Sequence, residues 1–532
     1  MNSTAPSKLI LDMVHHNPGE ARYVSKYQDP EVLAEMGFNG KVFFLFDSPS
    51  LAINWESVDP QIFPPGSEGR QWVDEKAASL REEFQKCRAA GVEAYAMGDL
   101  VLFPKALIER FGIEESFGDP LDPKTDELLR SMVNQIFTEF PDFAGFVVRI
   151  GETYLEDAPH HRGSILNKTD ADKTIIPLIQ LLREEICVKH GKTLIFRTWV
   201  SFDCDLEIYK KVSAAIEPHP KLKIGVKHCE GDFHRSNEFS KVIGEGRHPQ
   251  VIEVQCAREY EGKGAYPNYI AHGVIEGFEE HAFMPTAKIR SLRDFVERKP
   301  VLFAGVWTWS RGGGWEGPFI GNELWCDVNA WVMAQWAGNP AESEESILHR
   351  YAVNRLGLAK DQSPLFRRLC LASAEAVVRG RNSTHGDMNP WWTRDAGIAW
   401  PVTPKDATAR ARNLAQKDEA IKLWKEIVDI SHRIVWPDEE TRKFAIASAE
   451  YGLRLFEIYR AIVFLSDAEA RDDRSAIVHW LETYDSAWAH YNKLPAEYPE
   501  AGTLYTQAHE RWFSTETAHL HVTQLKDRQD RK

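Results

Sequence analysis

The sequence FAGFVVRIGETY, residues 143–154, joins a run of apolar residues to two charged side chains. Phe143, Phe146 and the two valines that follow are typical of a strand buried on both faces, as in a parallel sheet. Arg149 and Glu152 then place a guanidinium and a carboxylate at the end of that strand. Because an unpaired buried charge is costly, these groups either form an ion pair at the rim of the sheet or belong to a site there.

Similar apolar runs recur through the first 335 residues, and helical segments separate most of them. The helical segment after the second run ends at Gly91, where a C-capping glycine is expected. Alternation of buried strands and helices predicts a parallel sheet with both faces covered. Eight such units predict an α/β fold, a (β/α)8 TIM barrel in residues 1–340, with a doubly wound open sheet as the alternative. The eight runs are LILDMVH, KVFFLFD, VEAYAMG, FAGFVVRIG, TLIFRTWV, LKIGVKH, VIEVQCA and VLFAGVWTW.

The strand pattern stops after residue 340, and helical patterns continue near residues 343–380, 407–433, 439–466, 473–491 and 500–526. We therefore predict an all-α C-terminal domain in residues 341–532. A Trp- and Pro-rich loop, residues 382–404, interrupts it. Loops of this length are usually functional or disordered, and the three tryptophans favour a function. Whether this loop covers the active site is left open by the sequence.

Composition limits the classes of function and of partner. The net charge of −15 argues against a nucleic-acid binder, which needs a basic surface. The sequence contains no apolar run long enough for a membrane span and no signal-peptide pattern at its start. Seven cysteines without a CxxC motif favour a reducing compartment, so we expect a cytoplasmic protein. We expect no cofactor and no metal, and a homodimer through the C-terminal helices is a further expectation.

In a TIM barrel the active site lies at the C-terminal ends of the strands, and these ends are rich in carboxylates, Trp and Arg. Glycoside hydrolysis uses two carboxyl groups whose pKa values differ, and Trp faces suit sugar rings. The cations exceed what a neutral sugar needs and would suit a substrate carboxylate. The candidate catalytic residues are Glu152, Glu230, Glu238 and Glu316. The candidate substrate-binding residues are Arg149, Arg197, Trp199, Lys227, His228, Asp232, Arg258, Glu259, Tyr260, Trp309, Arg311 and Trp315.

Several residues at these strand ends also have structural interpretations. Asp12 and Asp47 are expected to be structural partners of the arginines. Adjacent histidines at 15–16 and 160–161 lack a spaced third ligand, so they are weak evidence for metal. The glycine-rich RGGGWEG segment lacks the Lys-Ser/Thr of a phosphate-binding loop and is expected to line a sugar site. Cys229 and Cys256 are expected to be buried packing residues rather than nucleophiles.

The segments after the sixth to eighth runs resemble a known family. GDFHRSNEF followed by VIEVQCAREYEG resembles the Asp-Phe…Arg-Glu and Glu-Val-Gln…Glu-Tyr segments of glycoside hydrolase family 67 α-glucuronidases. GGGWEGPFIGNELWCDVNAWVMAQWAGNP resembles that family's Asn-Trp-Thr-Gly-His block and its Trp-Asn-Pro end. The resemblance spans about residues 140–350, and more loosely the helical C-terminal part.

The resemblance implies an inverting exo-glycosidase with its general acid in the loop after the sixth strand. Glu238 is the positional match for that acid, and Glu230 is the alternative. The Asp that matches the family's base is missing, since three glycines stand at residues 312–314, and Glu316 is the nearest carboxylate. The family's N-terminal β-rich domain also has no counterpart, because the first predicted barrel strand begins the chain.

We therefore expect a hydrolase that releases a uronic acid, in the manner of an α-glucuronidase, from an acidic oligo- or polysaccharide. The sequence leaves two alternatives open: an exo-glycosidase for a neutral or N-acetylated sugar, and a non-catalytic glycan-binding barrel. It does not decide between inversion and retention.

Overall fold

The computed structural model describes residues 8–16, 22, 24–98, 100–150, 158–163, 169–199, 201–283, 287–313, 320–385, 398–502 and 517–530. Eight parallel strands close into a barrel in the order β1-β8-β7-β6-β5-β4-β3-β2, so the predicted TIM barrel is confirmed. Because closure pairs β1 with both β2 and β8, the barrel has no free edge. The strands are β1 Leu9–Val14, β2 Gly40–Phe44, β3 Glu93–Gly98, β4 Phe143–Val148, β5 Thr193–Arg197, β6 Leu222–Lys227, β7 Gln250–Gln255 and β8 Phe303–Arg311.

Helices cover the outside of the barrel. The helix Glu68–Ala89 buries apolar residues at helical spacing, Val73, Ala77, Leu80, Phe84 and Cys87, and Gly91 follows it at φ +73°. A small antiparallel sheet of Leu102–Pro104 and His161–Gly163 lies outside the barrel. The other barrel helices are Pro30–Glu35, Lys105–Phe111, Pro123–Glu139, Ile176–Leu182 between the π-helical turns Ala171–Ile175 and Arg183–Lys189, Ser201–Cys204, Leu206–Ala215, Ala271–Glu276, Leu292–Arg298 and Leu324–Gly338.

Two glycines allow β4 and β8 to meet their neighbours. Gly145 and Gly305 have φ values of +156° and +141°, and each follows Phe-Ala in the sequence. A Cβ on Gly145 would lie 1.9 Å from the Thr193 carbonyl oxygen, and one on Gly305 would lie 1.9 Å from the Leu9 carbonyl oxygen. The strand register shifts at both glycines. Any side chain would therefore push neighbouring barrel strands apart at these two bulges.

The C-terminal part is helical, as predicted. The predicted helical segment 500–526 is described only at its two ends, the second of which lies in the helix Ala518–Asp530, and most of the predicted loop 382–404 lies outside the described residues. The single predicted segment 343–380 is two helices, because Gly357 at φ +68° and Pro364 end one helix and begin the next. Among the described residues, no helix is long and apolar enough to cross a membrane. The helices are Glu344–Arg350 with the π-helical turn Tyr351–Arg355, Ser363–Arg381, Ala407–Arg433, Glu439–Ala470, Arg474–Tyr491, Leu494–Glu497 and Ala518–Asp530.

Buried polar contacts join these helices to the barrel. Arg235, in the loop after β6, forms ion pairs with Glu280 at 2.6 Å and with Glu375 of the helix Ser363–Arg381 at 2.7 Å. The Trp325 indole N–H donates to the Ser448 hydroxyl at 2.8 Å. Since an unpaired buried charge or indole N–H is costly, these contacts fix the helices against the C-terminal end of the barrel.

Candidate active site

Backbone strain is concentrated in the loops that follow the barrel strands. Of the eight non-glycine residues with positive φ in the described part of the chain, seven lie in these loops. Such conformations cost about 1–3 kcal/mol each and cluster at functional sites. The loops at the C-terminal end of the barrel are therefore held in specific shapes. The seven residues are Leu45, Trp55, His160, Asp232, Phe233, Arg258 and Lys263.

Three cations from three consecutive strands converge on one indole ring. The Lys227 ammonium lies 4.0 Å from the centre of the Trp199 ring, the Arg197 guanidinium 5.3 Å and the Arg149 guanidinium 6.0 Å. Cation–π attraction stabilises this arrangement when water is excluded. We call Arg149, Arg197, Trp199 and Lys227 the Trp199 group. The sequence predicted each member as substrate-binding, and the structure brings all four together.

A buried carboxylate fixes Arg197. Its Nε and Nη2 donate to the two oxygens of Glu253 at 2.7 and 2.9 Å. The side chains of Arg197 and Glu253 are 2% and 0% exposed, so this ion pair is fully desolvated. Arg197 of β5 lies beside Gly225 of β6, and Lys227 of β6 lies beside Glu253 of β7. Since Gly225 has no side chain, Arg197 reaches across β6 to the next strand but one.

Several N–H and ring nitrogen atoms near Arg197 have no hydrogen-bond partner in the part of the chain that the structure describes. They are Arg197 Nη1, Trp199 Nε1, Trp309 Nε1 and His15 Nδ1, and all four atoms are buried. Trp309 lies 5.7 Å from the Arg197 guanidinium, and the His15 ring stacks on Trp309 at 4.8 Å. Burial, reinforced by the charges of Arg149 and Arg197, lowers the pKa of His15 well below its usual value, so His15 is neutral at pH 7. Native proteins rarely leave such groups unpaired, so this cluster is a candidate ligand site.

Asp232 lies on a strained turn and contacts Lys227 of the Trp199 group. Its carboxylate is 2.7 Å from the Lys227 ammonium, and its side chain is 29% exposed. Gly231, Asp232 and Phe233 are successive left-handed residues, with φ values of +60°, +54° and +66°. Burial raises the pKa of Asp232, but the charges of Lys227 and Arg197 outweigh burial and lower it below its usual value. Asp232 is therefore ionised at neutral pH.

The loop after β7 packs Glu259 against the glycines that follow β8. A Cβ on Gly313 would lie 2.6 Å from Glu259 Oε2, and one on Gly312 would lie 1.8 Å from the His15 carbonyl oxygen. The Gln255 side chain accepts from the Glu259 backbone N–H at 2.9 Å and donates to the Gly312 carbonyl at 3.3 Å. The glycines therefore have a packing cause. The Glu259 carboxylate occupies the space that a side chain at position 313 would need.

Four other predicted binding residues lie behind this site. Arg258 pairs with buried Glu261 and donates to the Phe233 carbonyl. His228 packs on Phe233, and burial together with Arg258 lowers its pKa to about 3. Tyr260 stacks on His234 at 5.3 Å. These contacts support the loops from behind and do not reach the Trp199 ring.

Arg311 also lies behind the barrel mouth. Its guanidinium donates to the carbonyl groups of Ile320 and Asn322 and lies 3.7 Å from Glu323. It holds the segment that leads into the helix Leu324–Gly338.

Glu230 and Glu238 form a separate group on the outer rim. Glu230 is 3.7 Å from Lys241, and Glu238 accepts the Ala287 backbone N–H at 3.2 Å. Burial is the main cause that raises the pKa of Glu230, and the charge of Asp203 adds to it. A raised pKa suits a general acid, and the Oε1 atom of Glu230 is buried without a hydrogen-bond partner in the described structure. The predicted residues Glu152, Glu316 and Trp315 lie outside the described residues.

Asp12 and Asp47 are structural, but their partners differ from those predicted. Asp12 accepts from the Thr308 and Ser310 hydroxyls, and burial raises its pKa to about 7. Asp47 pairs with Arg22 and Lys76 at the rim, so neither carboxylate binds the strand-end arginines. Cys229 and Cys256 are buried, and burial raises the pKa of both thiols, which fits the predicted packing role.

One residue of the site was missed. Lys263 is buried at φ +47°, near enough to His15 for its charge to lower the His15 pKa. The flanking Gly262 and Gly264 also have positive φ, so the GKG sequence after the seventh strand was the available signal. In the described part of the chain, no three His, Cys, Asp or Glu side chains are arranged to hold a metal ion.

Neither the comparison with protein-family profiles nor that with curated proteins found a match. Solved structures do resemble the chain. An enzyme of glycoside hydrolase family 138 that targets the pectin rhamnogalacturonan II is 12% identical, with a TM-score of 0.61 over 98% of this chain and 67% of that one. A family 89 glycoside hydrolase from Clostridium perfringens, in complex with PUGNAc, is 9% identical, with a TM-score of 0.49 over 93% of this chain and 55% of that one.

A third structure, CpGH84B, is 11% identical, with a TM-score of 0.42 over 98% of this chain and 77% of that one. At these identities the likeness concerns the fold. The likeness to the family 138 enzyme gives no support to family 67 in particular.

Proposed function

We propose that this protein is a glycoside hydrolase that releases a uronic acid from an acidic oligo- or polysaccharide, in the manner of an α-glucuronidase. The observation that carries the proposal is Arg197. Its guanidinium is buried, fixed on one side by Glu253, and has a buried Nη1 without a partner in the described structure. A substrate that supplies an acceptor there removes the cost of an unmade hydrogen bond.

The surroundings of Arg197 favour an acidic sugar over a neutral one. A carboxylate carries the charge opposite to that of a guanidinium, which a hydroxyl does not, and Lys227 and Arg149 lie around the same indole. Trp199 and Trp309 offer buried N–H groups for the hydroxyls of the sugar. The fold is compatible with this substrate class, since the family 138 neighbour targets a pectin.

The reaction needs two carboxyl groups beside the bound sugar. One donates a proton to the leaving oxygen, and the other activates water or attacks the anomeric carbon. Asp232 contacts Lys227 of the Trp199 group, and Glu259 lies against Gly313 after β8. Glu152, Glu230, Glu238 and Glu316 remain predicted catalytic residues. An inverting enzyme would hold its pair about 6.5–9.5 Å apart.

A glycan screen tests the proposal. The purified protein is incubated with 4-nitrophenyl α- and β-D-glucuronides, the α-D-galacturonide, the matching neutral glycosides and rhamnogalacturonan II, and released sugars are identified by mass spectrometry. We expect release of a free uronic acid and no comparable turnover of the neutral glycosides. Preferred turnover of a neutral or N-acetylated glycoside would contradict the uronic acid assignment. Binding without any product after long incubation would favour a glycan-binding barrel.

The variant Arg197→Met connects the activity to the site. A hydrogen bond to a charged group contributes about 1.5–3 kcal/mol, so kcat/KM on a uronide should fall at least about tenfold. Arg88→Met is the matched control, because Arg88 is largely exposed and pairs with Asp142 at the opposite end of the barrel. Equal activity of the two variants would contradict a role for Arg197 in substrate binding.

A further inference from the structure

We propose that Asp232 is the ionised catalytic carboxylate of this site, which takes the proton of the water that attacks the sugar. The inference rests on the proposed function and goes beyond it, because the sequence placed catalysis on other carboxylates and gave Asp232 only a binding role. It follows from where Asp232 lies and from what the neighbouring carboxylates are bonded to.

Four other acidic side chains around the barrel mouth have structural partners. Glu253 has both oxygens on Arg197, and Glu261 pairs with Arg258. Asp203 accepts from the Thr198 hydroxyl at 2.7 Å, and Asp12 accepts from Thr308 and Ser310. All of these carboxylates are buried. Asp232, within the described residues, combines contact with the Trp199 group and a side chain that solvent can reach.

Its contacts suit a base. Oδ1 accepts from Lys227, a buried ammonium that also lies over Trp199. This partner favours the charged form of the carboxylate, as a general base or nucleophile requires. Glu230, two residues earlier, contacts Lys241 on the outer rim instead.

The strained turn explains how Asp232 keeps this position. Gly231, Asp232 and Phe233 are all left-handed, and a Cβ on Gly231 would lie 2.3 Å from the Asn237 amide nitrogen. Phe233 packs on the rings of His228 and Trp309. Packing on both sides therefore holds the carboxylate against Lys227 of the Trp199 group, at a cost that such sites accept.

The chemical step is a hydrolysis. The oxygen of water forms a bond to the anomeric carbon while the bond from that carbon to the leaving oxygen breaks. The proton of the water passes to Asp232, and the leaving oxygen receives a proton from a second, protonated carboxyl group. Glu230, whose pKa burial raises, and Glu259, in the neighbouring loop, are the described candidates for that second role. One water is consumed, and the two carboxyl groups exchange protons with solvent before the next turnover.

The test compares Asp232→Asn with Asp142→Asn in the full chain. Asp142 is also a partly exposed aspartate in an ion pair, with Arg88 at 2.8 Å, at the opposite end of the barrel. Substrates are the 4-nitrophenyl uronide that the wild type hydrolyses best and an oligosaccharide with the same uronic acid. We expect kcat of Asp232→Asn to fall about 10²–10⁴-fold on both substrates, with binding of free D-glucuronate retained in calorimetry. Asp142→Asn should stay within about twofold of wild type.

The outcomes separate the two claims. A wild type inactive on every uronide overturns the proposed function and the role of Asp232 with it. An active wild type with an equally active Asp232→Asn variant overturns the role alone. Loss on the oligosaccharide but not on the 4-nitrophenyl uronide, whose leaving group needs no proton, would make Asp232 the acid and overturn its assignment as base. Loss of D-glucuronate binding together with activity would make it a binding residue.

Discussion

Replacing Glu253 by glutamine removes the charge that holds Arg197 inside the barrel. The Arg197 and Glu253 side chains are 2% and 0% exposed and share two hydrogen bonds of 2.7 and 2.9 Å. Removing one partner of such a pair leaves an uncompensated buried charge and costs about 3–5 kcal/mol. We therefore expect Glu253→Gln to lower the free energy of unfolding by this amount. Asp142→Asn breaks an exposed pair and should cost at most about 1 kcal/mol.

Urea denaturation of the two variants, followed by far-UV circular dichroism, measures the difference. The double variant Arg197→Met, Glu253→Met removes both charges, and we expect it to be more stable than Glu253→Gln, because an apolar pair of similar size replaces a buried ion pair at little cost. We expect the double variant to have no activity on a uronide, since Arg197 is absent. The reasoning would be refuted if Glu253→Gln were as stable as Asp142→Asn, or if the double variant were the less stable of the two.

Two further predictions follow from the glycines and from a buried histidine. Gly313→Ala should lower kcat/KM at least about tenfold, because its Cβ would displace the Glu259 carboxylate. The control is Gly91→Ala, since Gly91 has a similar φ and open space around it. This control should lose about 1–2 kcal/mol of stability and no activity. Equal activity of these two variants would contradict the packing. Burial and Arg258 lower the pKa of His228 to about 3 in the folded protein. As the pH falls from 6.5 toward 3, the unfolded chain binds a proton at this residue and the folded chain does not. The contribution of His228 to stability is therefore complete above pH 6.5 and is lost over this range. This residue changes the free energy of unfolding by at most about 1.4 kcal/mol per pH unit. Urea titrations between pH 6.5 and 4 should show a smaller dependence of that free energy on pH for His228→Asn than for wild type. An unchanged dependence would contradict a neutral buried His228.

The fold could be predicted because its signals are local. Each strand is a short apolar run, each covering helix has apolar residues at its own period, and eight repeats suffice to indicate a closed barrel. The break near Gly357 was missed because residues on both sides have helical periods. The repeated Phe-Ala-Gly of β4 and β8 was also available, but its meaning depends on the Thr193 and Leu9 carbonyls of neighbouring strands.

The site was predicted less completely. The Trp199 group was found, because parallel strands bring their ends to one edge and the charged residue types were visible there. The partners of the charged residues were not predicted, since they depend on the direction of each side chain. Arg197 crosses β6 to reach Glu253, and Asp12 accepts from the hydroxyls of Thr308 and Ser310. The glycines after β8 suggested a missing catalytic Asp, which stays a prediction, and the structure adds that Gly313 makes room for Glu259.

The central claim is that Arg197 receives the carboxylate of an acidic sugar. A crystal structure of the Asp232→Asn variant with D-glucuronate or a 4-nitrophenyl uronide tests it directly. We expect a carboxylate oxygen of the sugar within about 3.2 Å of Arg197 Nη1, with the sugar ring against Trp199 or Trp309. A uronic acid bound elsewhere, or bound with its carboxylate in solvent and a neutral hydroxyl on Arg197, would contradict the account.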